Sequence, residues 1–233
     1  MNTVSINPGR LFKDSLGNVS PIYGSLLLLN SPDIIFVLLI NFLPYPINSI
    51  LSIIYYLILP PLILGATIIY IYRYLNQNHI SVADAFEYAA SKYLRLLFGL
   101  ILLVIILIPA FILLIIPAFI LLIIPGIYLS IRLGFISCAI VIEDCSVIEV
   151  IKLSWELTAG RWWSIFWASL AVSLALVIPV FLISFLVIAN LGVETGSVLS
   201  PVVSGTFSYL VSPVLGVYYV LLYTGLQRSN RAH

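Results

Sequence analysis

Residues 34–72 read IIFVLLINFLPYPINSILSIIYYLILPPLILGATIIYIY, with no Asp, Glu, Lys or Arg between Asp33 and Arg73. As a single helix they would reach roughly 58 Å, against a bilayer hydrocarbon core of about 30 Å. In lipid the stretch has to fold back on itself. Pro44-Tyr45-Pro46, followed by Asn48 and Ser49, supplies the turn. This predicts a short first span from Ser31 to the prolines and a second from Ser49 to Tyr72, kinked at Pro60-Pro61. Ser31-Pro32-Asp33 reads as a helix start, which sets Asp33 at the interface.

The whole chain repeats this character. Of 233 residues, 62% are apolar and 8% charged, where soluble domains carry about 25% charge. A domain of this size could not hide so much apolar surface from water. Net charge is +1, so no field of either sign points to nucleic acid. Cys138 and Cys145 are too few for a disulfide framework. The first thirty residues lack the basic start, apolar core and small-residue cleavage site of a signal peptide. Asn7-Pro8 instead opens a helix over residues 8–19, with Leu11, Phe12, Leu16 and Val19 mostly on one side, expected to lie on the membrane.

Leu96–Ile142 is the next apolar tract, with Arg132 as its only charge. At about 70 Å as one helix it requires two passes. It contains IPAFILLI at 108–115 and again at 116–123, then IPGIYLSI at 124–131, a local duplication that puts prolines at 109, 117 and 125. The hairpin is expected between Pro117 and Gly126. Trp162–Asn190 and Val202–Leu226 are two further spans. The fold class is therefore all-α, a polytopic membrane bundle of about six transmembrane helices with two short cytoplasmic amphipathic helices. One membrane domain runs 1–233: interfacial segment 1–30, spans 1–2 over 31–74, a surface helix 81–95, spans 3–4 over 96–142, a surface helix 146–160, span 5 at 162–190 and span 6 at 202–226.

Orientation follows from charge. With both termini cytoplasmic, the outer loops near Tyr45, Pro117–Gly126 and Glu194 contain no Lys or Arg. Arg10, Lys13, Arg73, Lys92, Arg95, Lys152, Arg161, Arg228 and Arg231 then all lie inside. Trp162, Trp163 and Trp167, and tyrosines beside Arg73 and Arg228, suit the same headgroup level.

The two surface helices open alike. Ser81-Val-Ala-Asp84 and Ser146-Val-Ile-Glu149 are capping boxes, 65 residues apart. The expected apolar faces are Val82, Phe86, Ala89, Ala90 and Tyr93 in the first, and Val147, Val150, Ile151 and Ser154 or Trp155 in the second.

Reactive groups are scarce. Arg132 is the one charge placed within a span, either facing the bundle and pairing with Glu143, Asp144 or Asp33, or snorkelling to an interface. Glu143 and Asp144 could hold a cation weakly. His79 and the terminal His233 offer no metal-ligand spacing, and no nucleophile with an adjacent base, phosphate loop or dinucleotide fingerprint occurs. No catalytic residue, cofactor or metal is expected. Ser204, Ser208, Ser212 and Gly216 recur every fourth residue in span six, and Ala171 and Ala175 offer a shorter version in span five. Such faces let helices approach closely in lipid, within one chain or between two copies.

EDCSVIEVIKLSWELTAGRW at 143–162, together with Pro61–Gly65, Ser81–Phe86 and IPGIY at 124–128 with Arg132, resembles the uncharacterised prokaryotic membrane proteins related to the membrane domain of glycerophosphoryl diester phosphodiesterases. Ser154, Leu157, Thr158, Gly160 and Arg161 match the end of that family's second surface helix. The likeness covers roughly residues 50–190. It implies a multi-span helical module in a prokaryotic inner membrane or other internal membrane; in fused relatives the hydrolase chemistry belongs to a separate soluble domain, which is missing here.

Two functional expectations follow. The first is a non-enzymatic scaffold, assembly or envelope factor acting through its cytoplasmic helices, with membrane lipids and another membrane protein or a second copy as partners. The second is a carrier or permease component for a lipid-like or apolar molecule, which would need few charges.

Overall fold

The computed structural model describes residues 7–112, 120–190 and 199–231, and every regular element among them is helical. This is what lipid demands: without water, each backbone N–H and C=O must be satisfied within the segment. In chain order the helices are α1 (Pro8–Val19), α2 (Tyr23–Ile40), α3 (Ile47–Leu75), α4 (Val82–Ser91), α5 (Tyr93–Ile112), α6 (Ile120–Leu133), α7 (Ile136–Glu143), α8 (Val147–Thr158), α9 (Trp162–Asn190) and α10 (Leu199–Arg231). A short 3₁₀ turn, Ser20–Ile22, links α1 to α2. Five segments are long and apolar enough to cross a membrane, and α4 with α5, bent by 67° at their junction, makes a sixth.

Packing divides the bundle into two ends. Buried side chains concentrate where α1, α7, α8 and the C-terminal halves of α3 and α10 meet. The opposite end, formed by residues 34–58 of α2 and α3 and by most of α9, presents Phe42, Ile53, Tyr56, Phe181 and Phe185 outward. An apolar surface of that extent belongs against acyl chains. At the packed end, α7 is the central piece: Ile136, Cys138, Ala139, Ile140 and Val141 are all buried, and it touches α3, α5 and α8. A helix apolar on every side has to be enclosed.

Small residues set the close approaches. Gly65 of α3 faces Ala89 of α4 and Leu96 of α5, and a Cβ there would lie 2.5 Å from Leu96 Cδ1 and 3.2 Å from Ala89 Cβ. Gly99 of α5 likewise leaves room for Ile140 and Ile136 of α7.

Several expectations change. Span one does not start at Ser31. Helix α2 is continuous from Tyr23, with Pro32 inside it, and Asp33 consequently lies within the helix rather than at its capped end. Both Ser81 and Ser146 do form capping boxes, with Asp84 and Glu149. However, the first surface helix ends at Ser91, and Tyr93–Arg95 already belong to α5. Helix α4 also lies alongside α3, burying Ala85 and Ala89, while Ala90 faces outward. On α8 the buried set is Val150, Ser154, Leu157 and Thr158; Trp155 is exposed. Pro125-Gly126 makes no turn, because both are inside α6; residues 117–119 of the expected hairpin lie outside the described residues. Span four is broken near Gly134, between α6 and α7. On α9 the inward face is Ile165, Ala168 and Val172, not Ala171 and Ala175. Trp162–Asn190 keeps its expected bounds, and span six extends to Leu199–Arg231.

Gly65→Leu should therefore lower the apparent melting temperature in detergent, with a cost of about 2 kcal/mol from overpacking. Gly24→Leu, where no atom lies within 4 Å of the added Cβ, should leave it within a degree or two; equal effects at both positions would refute the α3–α4 contact.

Candidate functional site

A cavity of about 560 Å³ lies inside the bundle, walled by α2, α3, α5, α9 and α10. Its apolar lining includes Ile63, Leu64, Ile68, Leu100, Val172 and Leu215. Pro60 and Pro61 sit on the α3 wall, where neither residue has an N–H to donate. Set into this surface are the polar side chains of Asn30, Asp33, Thr67, Ser169, Ser173, Ser212 and Tyr218. The Thr67 hydroxyl is buried with no hydrogen-bond partner. Tyr218 is 3% exposed; its hydroxyl has Ser169 beside it but closes no hydrogen bond of good geometry. Buried hydroxyls are normally satisfied, and each one left open costs about 1–3 kcal/mol. A second cavity of about 280 Å³, between α2 and α10, shares Asn30, Asp33 and Ser212 with the first.

Asp33 stands where the two cavities share residues. Tyr55 of α3 donates its hydroxyl to Asp33 Oδ1, and its ring stacks on Phe36 at 3.6 Å between centroids. The carboxyl lies about 10 Å along α2 from Ile40, inside the spanning part of the bundle.

Arg132 follows a different course from Asp33. It pairs with none of Glu143, Asp144 or Asp33. Its Nε donates to Tyr128 Oη at 3.0 Å, and Nη1 donates to the Trp155 carbonyl at 2.9 Å and to Thr158 Oγ1 at 3.2 Å. The guanidinium also lies 4.9 Å from the Trp155 ring centroid and 5.1 Å from that of Tyr128. Ser154 Oγ completes the joint by donating to the Arg132 carbonyl at 2.7 Å. Trp162 is tilted against Tyr128, with 5.7 Å between ring centroids. The arginine thus fastens α8 to α6 among interfacial aromatics. Gly160 allows the next turn, with φ +71 between α8 and α9, and Arg161 Nη1 donates to Asn230 Oδ1 at 3.0 Å.

Glu143 and Asp144 are adjacent in sequence but separate in role. Asp144 forms ion pairs with Lys92 and Arg95, and the hydrogen bond from Lys92, with that from Arg95, holds its carboxyl below the usual carboxylate range. Glu143 accepts from Gln227 and, at 3.4 Å, from Tyr223 of α10. Neither is an open cation site, and no group of three His, Cys, Asp or Glu that could hold a metal occurs among the described residues.

The small-residue face of α10 divides. Gly216 packs against Ile71 and Thr67 of α3, whereas Ser208 and Ser212 line cavities. Gly205, next to the exposed Ser204, makes the close contact with Val37 of α2. Asn30, Asp33, Tyr55 and Thr67 were not singled out in the sequence as site residues. Ser169 and Ser173 carried a faint signal, two of the four serines of span five, set one helical turn apart.

With this geometry in place, the chain belongs to the family described as Domain of unknown function (DUF7847), which it matches over residues 81–226. The match runs from the capping serine of α4 to Leu226 in α10. No curated protein and no solved structure matches the chain.

Replacing Arg132 by Ala should destabilise the protein by about 2 kcal/mol, since three charge-assisted bonds and two ring contacts are lost. Arg132→Lys should recover less than half of this, because an ammonium cannot keep the forked geometry. Apparent melting temperatures of the two variants in the same detergent decide it.

Proposed function

We propose that this chain is a multi-span membrane protein that takes a lipid-like amphiphile into the cavity between α2, α3, α9 and α10, as a carrier or permease component. The observation that carries this reading is a largely apolar cavity within the spans whose wall holds two buried hydroxyls, Thr67 and Tyr218, without hydrogen-bond partners. Such a lining matches a ligand with an apolar body and a few polar groups. Its volume lies within the 300–1,000 Å³ typical of small-molecule sites. A scaffold acting through its surface helices has less support, because α4 and α8 spend their apolar faces on the bundle itself. The family resemblance along Glu143–Trp162 is compatible with either role, and we read its Ser154, Thr158, Gly160 and Arg161 as a fastening of α8.

Intact lipids or lipid-like metabolites extracted from the protein purified in mild non-ionic detergent should be present at about one per chain. Ser173→Trp, which fills the cavity, should reduce that amount at least fivefold without lowering the melting temperature by more than a few degrees. Mass spectrometry of the extracts gives the measurement, and equal occupancy in both proteins would sink the proposal.

Orientation is part of the same reading: the packed end faces the cytoplasm, in a prokaryotic inner or other internal membrane. What supports it is the gathering of Arg10, Arg73, Lys92, Arg95 and Arg161 toward that end, with no basic residue among 34–58. A cysteine placed at Asn78 should resist an impermeant thiol reagent in intact cells, and one at Tyr45 should react; the reverse pattern would invert the topology.

A further inference from the structure

The residues shared by the two cavities present mainly acceptors. Asn30 Nδ2 donates to the Leu26 carbonyl at 2.8 Å. That carbonyl can only accept, so the amide must turn its NH₂ toward it and its Oδ1 away. Ser212 Oγ donates to the Tyr209 carbonyl at 2.9 Å, which leaves only its lone pairs. Asp33 receives the Tyr55 proton on Oδ1 and keeps Oδ2 open. Asn30, Asp33 and Ser212 line both cavities. Apart from the second N–H of the Asn30 amide, this corner of the site therefore presents acceptors: Asn30 Oδ1, Asp33 Oδ2 and Ser212 Oγ.

It also has no positive charge. The ion pairs among the described residues are Lys92 and Arg95 on Asp144, and Arg132 is committed to Tyr128, Trp155 and Thr158. A carboxylate inside the spans without a cation is costly, and such residues usually mark a ligand or ion path. An anionic headgroup would be repelled, and a neutral one would leave the charge uncompensated. A hard divalent ion prefers six or more oxygens, and no group of three His, Cys, Asp or Glu that could hold one occurs among the described residues. A primary ammonium brings one positive charge and three N–H donors, with the remaining valence carrying its apolar chain.

Resting on the carrier reading above, we propose that the ligand is a lipophilic amine: a protonated primary amine held by Asp33 Oδ2, Asn30 Oδ1 and Ser212 Oγ, with its alkyl portion along Leu64, Ile68 and Leu215. Tyr55 is a positioning residue that fixes the carboxyl through its other oxygen. Thr67 and Tyr218, about one to two helical turns farther along α3 and α10 than Leu64 and Ser212, are left to meet a second polar group on a longer ligand.

The test uses the full chain in a non-ionic detergent and four probes of one chain length: dodecylamine, dodecyltrimethylammonium, dodecan-1-ol and dodecanoate, with bound ligand counted by native mass spectrometry. Dodecylamine should bind at least about tenfold more tightly than dodecan-1-ol, a margin of one factor of ten in affinity. Dodecyltrimethylammonium, which has the charge but no N–H, should fall between them, and dodecanoate should bind weakest. Asp33→Asn, which still accepts from Tyr55, should bring the amine within threefold of the alcohol and leave alcohol binding unchanged. Ser173→Trp should weaken every probe.

The failures are distinguishable. If all four probes bind the unaltered protein equally, the amine assignment is wrong and the cavity reading stands. If dodecanoate binds best, or Asp33→Asn keeps the amine preference, the assignment is likewise overturned. If no probe binds, the carrier reading falls and takes this one with it. Should Asp33→Asn not fold, the ranking of the four probes on the unaltered protein decides alone.

Discussion

Helix association in lipid gains nothing from hiding apolar surface, because acyl chains are as apolar as leucine. What holds helices together there is close contact, and in this chain close contact is concentrated around α7. Its eight residues (Ile136–Glu143) are enclosed by α3, α5 and α8, with Tyr223 and Gln227 of α10 bonded to its last residue. Gly99 admits its Ile136 and Ile140, and the Tyr88 hydroxyl donates to its Val141 carbonyl at 3.0 Å. Next to it, Tyr219 donates to the Gly134 carbonyl at the break where α6 gives way to α7. The Gly134 carbonyl at that break is therefore not left unpaired. Removing α7 from this arrangement would leave α4, α8 and the end of α10 with no common neighbour.

The expectations drawn from sequence held where a single physical rule applied. Uncharged runs longer than a bilayer is thick had to be helices that reverse, and a helix does occupy Trp162–Asn190, where composition put span five. The capping boxes at Ser81 and Ser146 were equally legible, because a hydroxyl and a carboxylate three residues apart satisfy local backbone donors whatever the tertiary structure. Misreadings came where water-based rules met lipid or where neighbours decided. Pro32 was taken for a helix start, yet within a bundle a proline can sit inside α2 while neighbouring groups compensate. The direction of α4 depends on Gly65 of α3, seventeen positions before its first residue, and nothing local records that contact. The cavity was illegible for the same reason: Asn30, Thr67, Ser169 and Tyr218 come from four helices.

Two ionisable side chains within the apolar tracts show two ways to tolerate charge. Arg132 has a long stem and reaches a layer of aromatic rings and backbone carbonyls, so its charge is solvated by the protein at the level of the headgroups. Asp33 has a single methylene and cannot reach out. It is met instead by the Tyr55 hydroxyl, which donates to one carboxyl oxygen. A short acidic chain in a span must be met where it stands, which is why its surroundings are informative about a ligand while those of Arg132 are informative about architecture.

The least buried wall of the cavity is α9. It packs chiefly on α10, with smaller contacts to α1 and α6, and Phe181, Leu182, Phe185 and Leu186 point outward along its far half. The cavity lies between it and α3, with Ser169, Val172 and Ser173 on one side and Leu64, Thr67 and Ile68 on the other. Ser169, Val172 and Ser173 lie in the half of α9 nearer Trp162. The aromatic cluster of Trp162, Trp163, Phe166 and Trp167 keeps that end in place. The far half of α9 contributes no residue to that lining, so its apolar side chains are spent on the bilayer rather than on the cavity.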